Sequence, residues 1–131
     1  MRRMLTKIMW LGIAGGAGTL SRYALAGLVH RFADGVFPWG TLAVNATGCF
    51  VGGLFWAISE YHIQISGELR TIILIGFFGA FTTFSSFMLE TAELARAAEP
   101  FAAMKNVILH NFVGAACLAA GILAVRSMKG G

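Results

Sequence analysis

Gly76-Phe77-Phe78-Gly79-Ala80-Phe81-Thr82-Thr83-Phe84-Ser85-Ser86-Phe87 sits inside an uncharged run, residues 71–89, that is long enough to cross a bilayer. Two glycines and a pair of β-branched threonines weaken a helix at its centre. The four hydroxyls offer replacement partners for backbone groups that an interruption would free. The stretch therefore predicts a transmembrane helix broken near mid-membrane, an arrangement whose free carbonyls can face an ion. Phe81, Phe84 and Phe87, three residues apart, form a slowly drifting aromatic stripe. Such stripes ordinarily serve packing, but packing alone does not explain one interleaved with Thr and Ser at the centre of a span.

Three further apolar runs flank this one. Residues 8–29 are broken by a single charge, Arg22; residues 39–59 hold no Asp, Glu, Lys, Arg or His; residues 106–125 carry only His110 as an ionisable group. Each run covers about 30 Å of hydrocarbon at about 1.5 Å per residue, and backbone in lipid must satisfy itself, so each predicts a helix. Pro38 and Pro100 stand just ahead of the second and fourth runs, where a missing N–H does no harm. The link over residues 60–70, with Glu60, His62, Glu68 and Arg70, is aqueous. The link over 90–105, with Glu90, Glu93, Arg96, Glu99 and Lys105, extends the third helix beyond the membrane. The expected architecture is one all-α integral-membrane domain over residues 1–131, with four spans at about 8–29, 39–59, 71–92 and 103–126.

Composition agrees. Of 131 residues, 57% are apolar and 12% charged, against about 25% charged in an ordinary domain, and the mean hydropathy is +0.74. Ten basic and six acidic side chains cannot cover a soluble domain of this size. The net charge of +4 is scattered, so no basic face for nucleic acid arises. With four spans, Arg2, Arg3, Lys7, Arg70, Arg126 and Lys129 fall on the side of the termini, and Arg31, Arg96 and Lys105 on the other. That bias favours termini inside but is modest enough to allow insertion in both orientations. The basic N-terminus and the apolar run after it resemble a secretion leader. The run continues past Arg22, however, and three more follow, so cleavage is not expected. Cys49 and Cys117 both lie in apolar segments and predict neither a disulfide framework nor a zinc site.

Polar residues inside the spans are the functional candidates. Arg22, ~21 Å from the start of the first span and ~10 Å from its end, either snorkels to the interface or fixes a positive charge at a vestibule. Thr41, Asn45 and Gly48 share one helix face, where Asn45 offers amide donors without a full charge; it serves either an ion or an interhelical bond. The pairs Gly12/Gly16 and Gly48/Gly52 are assigned to close helix packing. His110 and Asn111 are neighbours and point in different directions, and the sequence leaves open which of them lines a polar track. His110 lacks companions at metal-ligand spacing.

These residues resemble the Fluc (CrcB-type) fluoride channels over essentially the whole chain. The resemblance rests on Gly15/Gly18 with Arg22-Tyr23, on Gly40-Thr41-Leu42-Ala43-Val44-Asn45 with Gly48, and on Gly76, Gly79 and Phe81-Thr82-Thr83-Phe84-Ser85-Ser86-Phe87 with Glu90. It implies an antiparallel, dual-topology homodimer in a prokaryotic inner membrane, with two fluoride pathways along the subunit interface. It also implies a structural Na⁺ held by backbone carbonyls of Gly79 and Thr82. Asn45, Phe84 and Phe87 would line the fluoride path. Thr41, Ser86 and Glu90 would neighbour it, Arg22 would stand near a vestibule, and Asn111 would take the place of a polar track residue. The chemistry is coherent, because a dry route must replace fluoride's water with hydrogen-bond donors. Amide hydrogens and the positive edges of Phe rings do so weakly enough to let the ion go.

Two other classes fit less well. A small four-helix drug or cation exporter needs a buried carboxylate for proton exchange, and the first, second and fourth spans have no Asp or Glu. A purely structural subunit leaves Asn45 and the Phe/Thr/Ser stretch without a role. An enzyme is not expected: the sequence shows no nucleophile–base pair, no paired catalytic carboxylates and no cofactor-binding glycine motif.

Overall fold

A computed structural model describes residues 1–128, and Lys129 of the topology argument lies outside the described residues. Among those residues all regular structure is helical. Helix α1 is Arg2–His30 and α2 is Trp39–Tyr61. The third rod begins with α3 (Gly67–Thr71) and widens into π-helical turns over Ile72–Phe78. It closes with one turn, α4 (Gly79–Phe81), and resumes as α5 (Phe84–Arg96). Helix α6 is Pro100–Ser127. Three helical stretches are long and apolar enough to cross a membrane: Trp39–Tyr61, Gly67–Arg96 and Pro100–Ser127. Helix α1 has the length, but Arg22 and its many glycines hold it below the same apolarity.

Local signals account for the boundaries. Pro38 immediately precedes α2, and Pro100 opens α6 where no N–H is needed. The Ser66 side chain caps α3 by accepting from the Leu69 N–H at 3.2 Å. Helix α5 overruns the apolar stretch as far as Arg96 and then closes tightly. The Glu99 N–H donates to the Leu94 carbonyl at 3.0 Å across Ala98, which adopts a φ of 60°. That left-handed position normally takes glycine.

Packing follows the small residues, though not all of those expected. Helices α2 and α6 lie along each other, while α1 packs on the π-helical segment and α4. A Cβ at Gly53 would come within 2.6 Å of the Leu118 carbonyl, and one at Gly121 would overlap the Phe50 carbonyl. On the other side, a Cβ at Gly76 would meet that of Ala14 at 2.9 Å, and one at Gly18 would overlap the Phe77 carbonyl. Gly12 and Gly16 make no close approach within the subunit: neither position has a described atom within 4 Å that an added Cβ would touch, so both face outward and a packing role there would need a neighbour outside the chain. Gly48 does carry a close approach, since its Cβ would collide with the Thr82 methyl, whereas Gly52 meets Phe78 only at ordinary contact distance.

Cations sit on aromatic rings at both ends of the bundle. Lys105 Nζ lies 4.6 Å from the centroids of both Phe37 and Trp39, tying the α1–α2 link to α6. At the opposite end Arg70 lies 6.0 Å from the Trp56 ring and 2.9 Å from Glu60, and Arg126 lies 5.6 Å from the Tyr61 ring. Trp and Tyr with Lys and Arg at the two ends of an apolar helix form the usual anchors at the two membrane–water boundaries. Between them runs α2, about 34 Å long at 1.5 Å per residue. Large apolar side chains such as Leu20, Ile75, Leu89 and Phe112 are exposed around the bundle, as a lipid-facing surface requires.

Candidate functional site

The interruption between α4 and α5 organises the site. Thr82 (φ −81°, ψ 159°) and Thr83 (φ −149°, ψ 111°) are extended, so the i→i−4 ladder stops there. Asn45 on α2 takes over the freed groups: its Oδ1 accepts from the Thr83 N–H at 2.7 Å, and its Nδ2 donates to the Thr83 carbonyl at 3.0 Å. Leaving those two backbone groups unpaired would cost about 1–3 kcal/mol each. The Thr83 hydroxyl then caps α5, accepting from the Ser86 N–H at 3.1 Å and donating to the Ser86 hydroxyl at 2.9 Å. Thr82 turns its hydroxyl back onto the Phe78 carbonyl at 2.8 Å, and Gly48 leaves room for its methyl group.

Immediately after the break, Phe84 points outward, 74% exposed, while Phe87 is 4% exposed. Their rings meet edge to face with centroids 5.4 Å apart. Phe87 is backed by His110 on α6, with ring centroids 4.4 Å apart and planes 26° from parallel. Beneath it lies a polar knot that sequence reasoning missed. Asn106 is fully buried, and its Nδ2 donates to the Thr91 hydroxyl at 2.9 Å; that hydroxyl donates to the Phe87 carbonyl at 2.7 Å. The one sequence signal for Asn106 is its position as the polar first residue of an apolar run.

Asn45, Phe84, Phe87 and Asn111 line one cleft of about 230 Å³, together with Thr82, Thr83, Cys49, His110 and Gly114. Among the described residues no Lys, Arg, Asp or Glu lines it. Asn111 lies on the rim, exposed, its Nδ2 donating to the Val107 carbonyl at 2.8 Å. His110 lines the same cleft, so the choice between the two neighbours does not arise. Arg22, Thr41 and Ser86 line a second cleft, of about 250 Å³, with Tyr23. Thr83 borders both clefts, and the break is the wall between them. Glu90 borders a third, with Pro38 and Glu93, and accepts from the Thr41 hydroxyl at 2.5 Å. The nine-residue stretch from Thr82 to Glu90 thus serves three clefts rather than one.

The carbonyl oxygens expected to hold Na⁺ are chemically suited to a hard cation. The helical i+4 donor for the Gly79 carbonyl is the Thr83 N–H, which is engaged by Asn45; that for the Thr82 carbonyl is the Ser86 N–H, engaged by the Thr83 hydroxyl. Both carbonyls therefore lack their usual helical partners, and the residues fit the ion. Gly79 is exposed on the outer face of the rod.

The fold and the clefts define an all-helical, multi-pass membrane protein with uncharged polar and aromatic groups gathered where a helix is interrupted. Residues 9–122 match the family model described as CrcB-like protein, Camphor Resistance (CrcB), and the chain belongs to that family. It is 48% identical over 120 residues to a protein of Desulforapulum autotrophicum, covering 92% of this chain and 96% of that one. It is 47% identical to one of Nitrosococcus oceani, covering 90% and 94%, and 42% identical to one of Solidesulfovibrio magneticus, covering 94% and 98%. All three relatives bear the name fluoride-specific ion channel FluC.

Proposed function

We propose that this protein is a fluoride-selective channel that lets F⁻ leave a prokaryotic cell passively across its inner membrane. It is a transport protein, not an enzyme. The observation that carries the reading is the cleft in which the Asn45 amide and the Phe84 and Phe87 rings converge without a charged side chain. One Nδ2 hydrogen of Asn45 is committed to Thr83, and the other is available to an anion. Ring edges supply the remaining weak positive potential, and the lack of a fixed cation lets the ion move on. The name borne by the relatives supplies the identity of the ion.

The working unit in this proposal is an antiparallel homodimer of four-span subunits, α1 being the fourth span and the third being broken at mid-membrane. An open cleft with Phe84 standing out of it supports this, because a second copy would close the route from the other side. Arg22 draws anions toward the second cleft, while Thr41 and Ser86 offer hydroxyls within it. Glu90 holds Thr41 in place, and Asn111 adds an amide at the rim of the first cleft. Sodium, bound by the Gly79 and Thr82 carbonyls, would neutralise the carbonyl end of the broken helix. No observation favours the exporter reading, since the cleft contains no carboxylate for proton exchange.

Liposomes loaded with fluoride and containing the purified protein test the proposal, with chloride-loaded liposomes as the comparison. Fluoride should escape and chloride should not. Asn45→Asp should cut the fluoride flux at least tenfold, because it places an anion on the route and withdraws the donor to Thr83. Liposomes tight to fluoride, or equally leaky to chloride, refute the function, and undiminished flux in Asn45→Asp refutes the role of that amide.

A further inference from the structure

His110 brings to the cleft something the amides and phenyl rings do not: a nitrogen that can change sign. Its Nδ1 lies 3.1 Å from the backbone carbonyl of Asn106. A carbonyl only accepts, so this contact fixes the hydrogen on Nδ1 and leaves Nε2 of the neutral ring as a bare lone pair. Nε2 is buried and has no hydrogen-bond partner. The parallel stack on Phe87 holds the ring in this orientation. A neutral His110 therefore presents an anion with a repulsive lone pair. A protonated His110 becomes a donor, but among the described residues lining its cleft the charge has no counter-ion, only uncharged polar and apolar groups. Anion and proton each relieve the cost of the other.

We infer that His110 is a proton-linked anion site, at which fluoride enters most favourably when Nε2 carries a proton. The inference rests on the fluoride reading above. One proton moves from water to Nε2 as the ion arrives and returns to water as it leaves; nothing else is exchanged. The coupling is reciprocal, so fluoride favours the proton as much as the proton favours fluoride. A fixed Lys or Arg would retain the ion, whereas an imidazole gives up its charge together with its proton.

The groups around the ring leave this role to His110. Helix α5 contributes Glu90, whose carboxylate accepts from Thr41 and lines a different cleft. Helix α2 contributes Cys49 within the cleft and the Thr41 main chain, which interacts with the imidazole. On α6 the flanking Asn106 and Asn111 are uncharged, and His30 of α1 interacts with Glu90.

Currents across planar bilayers read the linkage directly, because HF is neutral and carries none. The half-saturating fluoride concentration should fall between pH 8 and pH 6, by at most about tenfold per pH unit for one linked proton. It should be the same at both pH values in His110→Gln and should still shift in His30→Gln. A second measurement does not require conduction: adding fluoride to purified protein in weak buffer should draw protons from solution. Chloride should draw none, nor should fluoride added to His110→Gln. A half-saturation independent of pH in the parent, a shift that survives in His110→Gln or vanishes in His30→Gln, or fluoride binding without proton uptake overturns the inference. Fluoride currents without pH dependence would defeat this inference alone, while the absence of any fluoride current would defeat the channel reading as well.

Discussion

Phe84 and Phe87 are the same residue type three positions apart, yet they have different jobs. Phe87 is packed between the two helices, stacked on His110, with its carbonyl tied to Thr91 and Asn106; Phe84 has only the edge of Phe87 beside it and otherwise faces out. Phe87→Ile should lower subunit stability by about 1–2 kcal/mol, a fraction of the ~3–5 kcal/mol of a full Phe→Ala truncation. Phe84→Ile should change it by less than about 0.5 kcal/mol, as substitutions at exposed sites do. Both should suppress fluoride flux. Denaturant unfolding in detergent, set beside liposome efflux, separates the two effects; equal loss of stability would contradict the division of labour. At this scale the sequence was partly legible. Asn45 and Asn111 were selected because polar groups are costly in lipid, Phe84 and Phe87 because their stripe is interleaved with hydroxyls, and one cleft holds all four although they come from three separate stretches of chain. Thr83 was read for its hydroxyl alone, whereas its main chain is what meets Asn45. Asn106 escaped because a single Asn at the edge of an apolar run looks like an interface residue.

The third rod shows how much of an element's detail its residue types leave unmarked. Glycines, threonines and serines at its centre announce weak helix, and the backbone is extended at Thr82 and Thr83. The π-helical turns at Ile72–Phe78 have no such mark, since Ile, Leu and Phe would fill an ordinary helix equally well. Small-residue spacing on α1 was incomplete for a related reason: G-x-x-x-G marks a face that can be approached, and the spacing does not say by what. Gly15 and Gly18, one turn away from the pair singled out, face the rod instead. The turn into α6 was likewise invisible, because Ala98 is not a turn residue, although its φ of 60° sets the angle at which α6 returns to α5. A left-handed Ala costs about 1–2 kcal/mol, and glycine gives back part of that saving as unfolded-chain entropy. Ala98→Gly should therefore raise stability by about 0.5–1 kcal/mol and leave transport intact. An unchanged or lower unfolding midpoint would show that the turn is not strained.

For the whole molecule, the apolar surface and the aromatic anchors at both ends of the bundle make a membrane protein, and the exposed cleft is the ground for proposing that two subunits work together. The proposed sodium belongs to this scale, because Gly79 is on the outside of the subunit and an added Cβ there meets only the Leu74 carbonyl, at 3.8 Å. Gly79→Val should accordingly fold as a subunit. It should nonetheless lose a gain in dimer stability that the parent shows when sodium replaces a bulky organic cation. A variant as responsive to sodium as its parent would remove Gly79 from the ion site. Charge counting was least informative here: a modest bias of Lys and Arg permits either orientation, and neither the pairing of two copies nor their direction is written in one chain. At the centre of the proposed function, an anion crosses by exchanging water for uncharged donors that suit fluoride. The most direct test is the reversal potential of the reconstituted protein with fluoride on one side of a planar bilayer and chloride on the other. Reversal should fall close to the limit for a membrane permeable to fluoride alone. Reversal near zero, with both halides carrying current, would contradict it.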